Sequence, residues 1–219
     1  MREVLRSTIG QKAIMAVTGL IMLGYLITHV LANLLVFQPA GAGTPLINQY
    51  SARLHALGPG LWLARAVLIA AVLAHIWAAY ALTRRDRDAR PVRYAKYERQ
   101  AATYASRTIR WGGVLILVFL VLHILHFTTF TLDRRLVELD PYDNVRTAFA
   151  SPAVSVAYVV AMLAVGLHLY HGAWSSFKTL GLARARQDPL QRRASAAVAG
   201  LIWLGFTLIP IGILAGLAR

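Results

Sequence analysis

The chain has 219 residues, of which 58% are hydrophobic, and it carries a formal net charge of +14. Soluble globular domains average about 45–50% apolar residues even when glycine is counted, so this composition excludes an ordinary soluble domain and indicates a membrane protein. Because the chain has no cysteine, it cannot by itself form disulfides, thiolate metal sites or iron–sulfur clusters. Histidine is then the strongest metal ligand that it offers.

Five apolar segments are long enough to cross a bilayer, which requires about 20 residues. They cover residues 12–37, 61–82, 111–130, 153–177 and 194–217. The connections between them are too short to form a separate soluble domain. We therefore predict an all-α integral membrane protein in which residues 1–219 form a single bundle of five transmembrane helices. The first segment is longer than the apolar region of a cleavable signal peptide, so we expect it to stay in the membrane.

Basic residues concentrate in three stretches of the chain. Met1–Lys12 has three Lys or Arg against one acid, Thr83–Arg110 has nine against three, and Lys178–Arg193 has five against one. In contrast, Gln38–Gly60 has a single Arg, and Thr131–Pro152 has three Arg against four acids. The positive-inside rule predicts a cytoplasmic N terminus and a C terminus outside. The charge is thus explained by topology rather than by nucleic acid, and Thr83–Arg110 is interpreted as a docking face for anionic lipids or a cytoplasmic protein.

Histidine interrupts each of the first four apolar segments in its second half, at His29, His75, His123 and His168. An ionisable residue inside a membrane is costly and is by default a functional candidate. A single such residue would be interpreted as a packing residue, but four in consecutive segments favour a function. The fifth segment has no histidine and is expected to complete the bundle, with a kink at Pro210.

The alternating direction of the helices sorts these histidines into two pairs. Since a helix rises about 1.5 Å per residue, His29 and His123 are predicted in the outer half of the membrane, and His75 and His168 in the inner half. Two imidazoles facing each other at one depth are the arrangement for bis-histidine haem ligation in a helical bundle. Zinc fits less well because a structural zinc site gathers four ligands, and a proton relay stays an alternative.

A weak repeat accompanies the histidines. Gly19 precedes His29 by ten residues, and Gly113 precedes His123 by ten. Glycine on a transmembrane helix permits the close approach of a neighbouring helix or of a planar cofactor.

Further histidines leave the choice of ligand open. His126 and His171 lie one turn from His123 and His168. Each is a candidate for a secondary contact with haem, a haem propionate, a quinone oxygen or water.

The outer end supplies other polar candidates. Gln38–Gly60 contains Pro and Gly residues that end the first helix, and its Tyr50, Arg53 and His55 are candidate quinone contacts. Arg65 lies one turn inside the second segment, where it either reaches lipid headgroups or binds a haem propionate.

The chain resembles, over nearly its whole length, the five-helix dihaem cytochrome b subunit of succinate dehydrogenases and fumarate reductases. The motifs that carry the resemblance are TGL and HVLANLLVF (Thr18–Leu20 and His29–Phe37), LAHIWAAY (Leu73–Tyr80), the Gly113-to-His123 spacing, and HLYHGAWSSFKTLG (His168–Gly181). In this family the ligand of the fourth helix stands four residues before a glycine, which favours His168 over His171.

The resemblance implies that this chain is the membrane anchor of a succinate dehydrogenase complex, the subunit that exchanges electrons with quinone. The implied partners are a flavoprotein with covalent FAD and an iron–sulfur subunit, on the cytoplasmic face of a bacterial or archaeal inner membrane. Two haems b are implied, an inner haem held by His75 and His168 and an outer haem held by His29 and His123, with menaquinone as the substrate. Some family members use an acidic residue after the first span, whereas Gln38–Gly60 has none, so the outer quinone site is expected to differ.

Two alternatives stay open on the sequence. A cytochrome b anchor of a hydrogenase or formate dehydrogenase would differ in its soluble partners. A haem-free, histidine-dependent proton-coupled transporter would move a solute, and the broken helices typical of such transporters are not evident here.

Overall fold

The computed structural model describes residues 7–38, 43–89, 104–182 and 188–217. Its helices are α1 (Thr8–Leu34, followed by a 3₁₀ turn at Leu35–Phe37), α2 (Leu46–Ala56), α3 (Pro59–Asp88), α4 (Tyr104–Phe127), α5 (Pro141–Phe149), α6 (Pro152–Thr179) and α7 (Asp188–Leu214). All regular structure in these ranges is helical. The middle of the expected docking face, residues 90–103, lies outside the described residues.

Five of these helices, α1, α3, α4, α6 and α7, are long and apolar enough to cross a membrane. The predicted five-helix architecture is thus confirmed, and the ends of several helices differ from the ends of the predicted apolar spans. Helix α3 continues past residue 82 to Asp88, and α4 begins at Tyr104, before the predicted span at 111. Hydropathy marks only the apolar stretch expected in the membrane, whereas arginine is a good helix former and allows the helix to continue beyond that stretch. Helix α4 ends at Phe127 instead of 130, where Phe130 takes a left-handed φ of 56°.

Local sequence explains where the helices begin. The Ser7 hydroxyl caps α1 by accepting a hydrogen bond of 2.9 Å from a backbone N–H three residues on. Helices α3, α5 and α6 each begin at a proline, namely Pro59, Pro141 and Pro152, whose fixed φ suits the first helical turn. Gly58 provides the turn from α2 into α3 with a φ of 52°, a conformation that favours glycine.

The connection after the first span contains a helix that its Pro and Gly content does not predict. This helix is α2 (Leu46–Ala56), within the segment Gln38–Gly60. The helix breakers lie at its flanks, at Pro45 and Gly58, so the eleven residues between α2's bounds are free to form a helix.

The long helices pack around two central members. Helix α1 packs against α3, α6 and α7, and α6 packs against α1, α4 and α7. Helix α7 therefore fills the groove between α1 and α6, while α3 and α4 lie on the flanks. The outward faces are apolar, and side chains such as Leu63, Val118 and Leu201 are exposed. Exposed apolar faces on long helices are the surface that lipid chains cover, so the fold is that of a multi-pass membrane protein.

The packing of α7 on α1 predicts the effect of a small substitution. A Cβ atom at Gly205 would lie 2.6 Å from Cγ2 of Val30, whereas one at Gly200 would meet nothing within 4 Å. We expect Gly205→Ala to lower the free energy of unfolding by about 1–3 kcal/mol, because the buried Val30 cannot move aside. Gly200→Ala is the matched control and is expected to be neutral or slightly stabilising. Thermal unfolding in detergent checks both variants, and equal effects would contradict the packing.

Candidate functional site

The outer pair of imidazoles lies between α1 and α4. The ring centroids of His29 and His123 are 6.0 Å apart, with an interplanar angle of 83°. Both rings are surrounded by aromatic side chains, including Phe206 of α7, whose ring centroid is 5.6 Å from that of His29. The two histidines predicted to share the outer level are thus brought next to each other, with their rings edge to face.

The inner pair lies between α3 and α6. The ring centroids of His75 and His168 are 6.2 Å apart, with an interplanar angle of 59°. Nδ1 of His75 is 3.1 Å from the carbonyl oxygen of Met15 and 3.1 Å from the hydroxyl of Thr18. Since a carbonyl oxygen only accepts, Nδ1 carries the proton and Nε2 keeps its lone pair. Nδ1 of His168 is buried without a hydrogen-bond partner.

The glycine repeat sets the spacing of the two levels. A Cβ at Gly19 would lie 3.4 Å from Cε1 of His75, and one at Gly113 would lie 3.8 Å from Cε1 of His168. The two glycines therefore leave room for the inner rings, ten residues before the outer histidines on the same helices. At about 1.5 Å per residue, the two pairs are about 15 Å apart along the bundle.

His126 is directed to a tyrosine rather than to a second histidine. It is buried, with a relative exposure of 7%, and its Nδ1 lies 3.0 Å from the hydroxyl of Tyr158. The same hydroxyl lies 3.4 Å from Nδ1 of His123. Sequence reasoning did not single out Tyr158. The available signal was its place ten residues before His168, the same interval that separates the two levels on α1 and α4.

The other predicted residues are divided between the two ends. His171 is half-buried and lines a small pocket at the basic end with Tyr170, Trp174 and Arg192. At that end both Lys178 and Arg192 carry their cations over the Trp174 ring, at 4.2 and 4.1 Å from its centroid. This end of the bundle thus concentrates positive charge beyond the inner pair, around Trp174, which follows His168 by six residues.

At the opposite end, the structure groups only some of the predicted residues near His29. Tyr25, which the sequence reasoning missed, stacks on His29 with ring centroids 5.2 Å apart. Arg65 and Tyr50 lie within electrostatic range of Tyr25, and the Arg65 guanidinium lies over the Trp62 ring. Arg53 and His55 have no such link to Tyr25 and are exposed, as are Tyr25 and Tyr50. His55 uses Nδ1 to bond the carbonyl of its own helix four residues back, at 2.8 Å.

Short helices close this end of the bundle. Helices α2 and α5 pack against each other, and Ile47, Val145 and Phe149 form a buried apolar cluster with Val36 and Ile209. Phe127, Tyr158 and Phe206 pack against that cluster, and these same side chains contact the outer histidines. The closure therefore covers this end of the outer pair with apolar and aromatic side chains.

The arrangement provides two protein ligands at each level. Within the described ranges, no three His, Asp or Glu side chains gather into a group that could hold a metal ion. Two ligands are sufficient for a metal that brings its own equatorial ligands, as haem iron does. Two imidazoles that share one metal ion, each with a nitrogen about 2 Å from it, have ring centres about 6 Å apart. The separations of 6.0 and 6.2 Å fit this requirement.

Fold and site together define an α-helical multi-pass membrane protein with two internal histidine pairs. Residues 84–213 match the family model described as succinate dehydrogenase/fumarate reductase transmembrane subunit. The chain belongs to this family, and it is therefore a membrane subunit of a succinate dehydrogenase or fumarate reductase complex. No curated protein and no solved structure matches the chain significantly.

The matched segment divides both histidine pairs. It contains His123 and His168, whereas His29 and His75 precede it. One member of each pair therefore comes from the part of the chain that the family model does not match, and the structure brings it to the matched half.

The closure of the outer end predicts a stability effect. The side chain of Asn48 on α2 donates a hydrogen bond of 2.8 Å to the Asp140 carboxylate and accepts one of 2.9 Å from the N–H of Tyr142. We expect Asn48→Ala to lower the free energy of unfolding by about 1–3 kcal/mol, because two half-buried partners lose their bonds at once. Gln49→Ala, which removes an exposed bond to the Thr44 carbonyl, is expected to change it by less than about 0.5 kcal/mol. Denaturation in detergent measures both, and similar losses would refute this role of Asn48.

Proposed function

We propose that the chain is the cytochrome b anchor of a succinate:quinone oxidoreductase, which passes electrons between an iron–sulfur subunit and membrane menaquinone through two bis-histidine haems b. The observation that carries the proposal is the pair of facing imidazoles at each of two depths, 6.0 and 6.2 Å apart. His29 and His123 would hold the outer haem, and His75 and His168 the inner one.

Hydrogen bonding at the inner level supports this assignment. A metal-binding histidine commonly donates its second N–H to a backbone carbonyl, which fixes the ring and the tautomer. His75 makes this bond to Met15, so its free Nε2 is the ligand atom. Nδ1 of His168 is buried and has no hydrogen-bond partner among the described residues, and ligation through Nε2 would offset part of the cost of burying that ring.

Haem b supplies one-electron redox chemistry when it is bound. The protein would supply two imidazoles to each haem iron and enclose them among apolar side chains. Two histidine ligands would leave no position open for oxygen, which would favour electron transfer over oxygen chemistry.

Charge supports the orientation of the anchor. The basic stretches adjoin one end of the bundle, where they flank the ends of α1, α3, α4, α6 and α7. The positive-inside rule assigns that end to the cytoplasm. The flavoprotein with its FAD and the iron–sulfur subunit would dock there, next to the inner haem. The membrane would then be the cytoplasmic membrane of a bacterium or archaeon, with anionic lipids also bound at this face.

Polar residues near each pair are the candidate contacts for propionates and quinone. At the basic end, His171 and Arg192 line one pocket and would bind propionates of the inner haem. At the outer end, Arg65 and Tyr50 interact electrostatically with Tyr25, which stacks on His29, and this places them closer to the outer pair than Arg53 and His55 as candidates for a propionate or quinone oxygen. The family match favours succinate or fumarate chemistry over the hydrogenase, formate dehydrogenase and transporter alternatives.

Haem content of single variants tests the proposal. The purified complex is expected to contain about two haems b per anchor, with His75→Ala or His168→Ala losing the inner haem and His29→Ala or His123→Ala losing the outer. Reduced-minus-oxidised spectra and haem quantification measure this. His171→Ala is the control and should retain both haems. A complex with all its subunits but no haem would contradict the proposal, and loss of one haem by both His29→Ala and His75→Ala would contradict the pairing.

The glycine contact predicts a selective loss at the inner level. A Cβ at Gly19 would already be in van der Waals contact with the His75 ring, 3.4 Å from Cε1, so a larger side chain there has to displace the ring, whereas a Cβ at Gly24 on the same helix would meet nothing within 4 Å. We expect Gly19→Leu to displace His75 and to remove the inner haem spectrum while the outer one persists. Gly24→Leu should retain both spectra. Equal spectra for the two variants would show that the space at Gly19 is not needed for haem binding.

A further inference from the structure

We propose that Tyr158 is the positioning residue of the outer pair, with its hydroxyl linking His123 to His126 and fixing which nitrogen His123 turns to His29. The inference rests on the proposed haem function, and it gives His126 a role as an anchor of this link in place of a ligand. Neither the family match nor the pairing of the histidines assigns a role to Tyr158.

Geometry places the three side chains in one hydrogen-bonded row. His123 and His126 lie on adjacent turns of α4, and Tyr158 projects from α6. The hydroxyl lies 3.4 Å from Nδ1 of His123 and 3.0 Å from Nδ1 of His126. The ring centroid of Tyr158 is 5.9 Å from that of each histidine, so one tyrosine contacts both rings. Because both bonds use Nδ1, each histidine keeps Nε2 for another partner.

Aromatic packing holds the tyrosine in this position. Phe119, Phe127 and Phe149 each contact the Tyr158 ring edge to face, with centroids 5.1, 5.9 and 4.9 Å away. A hydroxyl enclosed in this way must find its hydrogen-bond partners among the neighbouring side chains. The only partners recorded for it within the described residues are the two imidazoles.

The donors and acceptors can then be assigned. If Nε2 of His123 is the ligand atom, its Nδ1 carries the proton and donates to the Tyr158 oxygen. The Tyr158 O–H is left to donate to Nδ1 of His126, whose lone pair accepts it. In this assignment each N–H and O–H donates one hydrogen bond. If the Tyr158 O–H donated to Nδ1 of His123 instead, the proton of that ring would lie on Nε2, the proposed ligand atom.

The row has a consequence for the outer haem. A ligand imidazole that donates its second N–H to an acceptor becomes more basic, which favours the oxidised iron. Removing the hydroxyl should therefore raise the midpoint potential of the outer haem. It should also alter the ferric spectrum, because the His123 ring loses the contact that sets its rotation. The inner haem should be unaffected, since Tyr158 contacts neither of its ligands in the described structure.

The test uses Tyr158→Phe in the whole complex, with redox titration of both haems and electron paramagnetic resonance of the ferric state. The expected result is full retention of both haems, an upward shift of the outer potential only, and a changed outer ferric signal. Tyr80→Phe is the matched control, because Tyr80 is exposed on the lipid-facing side of α3, and it should match the wild type.

Two results would overturn the inference. Unchanged outer potential and signal in Tyr158→Phe, with both haems bound, would leave the haem proposal standing and remove the role of Tyr158. If that variant does not assemble, His126→Ala breaks the row from its other end and should move the same potential, and no shift there overturns the inference equally. Absence of haem from the wild-type complex would instead refute the proposed function.

Discussion

Burial of imidazoles among apolar side chains is the constraint on which this structure depends. Burying a polar ring in a membrane is costly unless its nitrogens have partners, since water is excluded. His75 satisfies Nδ1 at the Met15 carbonyl and His123 at the Tyr158 hydroxyl. In both cases the remaining nitrogen is Nε2, and in both cases a second imidazole faces the ring across the bundle. One metal ion bound by both rings would accept both Nε2 lone pairs. Without a metal ion, the two Nε2 atoms could form a hydrogen bond only if one of them gained a proton.

The histidines pair because neighbouring helices run in opposite directions and because glycines on α1 and α4 lie at the depth of the inner rings. Helices α1 and α4 run one way and carry a histidine at the outer level and a glycine at the inner level. Helix α6 runs the other way and carries Tyr158 at the outer level and His168 at the inner one. Each inner ring therefore meets the open surface of a glycine, and the outer ring of His123 meets a tyrosine hydroxyl. The two histidine pairs thus lie in one bundle, about 15 Å apart along its axis.

Much of this arrangement could be predicted from the sequence, because hydropathy and helix rise act locally. The five spans and the two histidine levels required only those two quantities. Helix α2 was missed because Pro45 and Gly58 appeared to interrupt the connection, although they flank the helix. Tyr158 and Tyr25 were missed because an aromatic residue on an apolar helix forms no distinctive sequence pattern. Which side chain it contacts depends on how its helix is rotated in the bundle, and the sequence does not give that rotation. The choice between His123 and His126 likewise required the position of α6.

The most direct test of the central claim is an experimental density map of the complex in its membrane environment. Planar density between the rings of His29 and His123, and again between those of His75 and His168, with both rings of each pair touching its centre, is the result expected here. A map in which the paired rings pack directly against each other or against aliphatic side chains, with nothing between them in a complex that retains its soluble subunits, would contradict it.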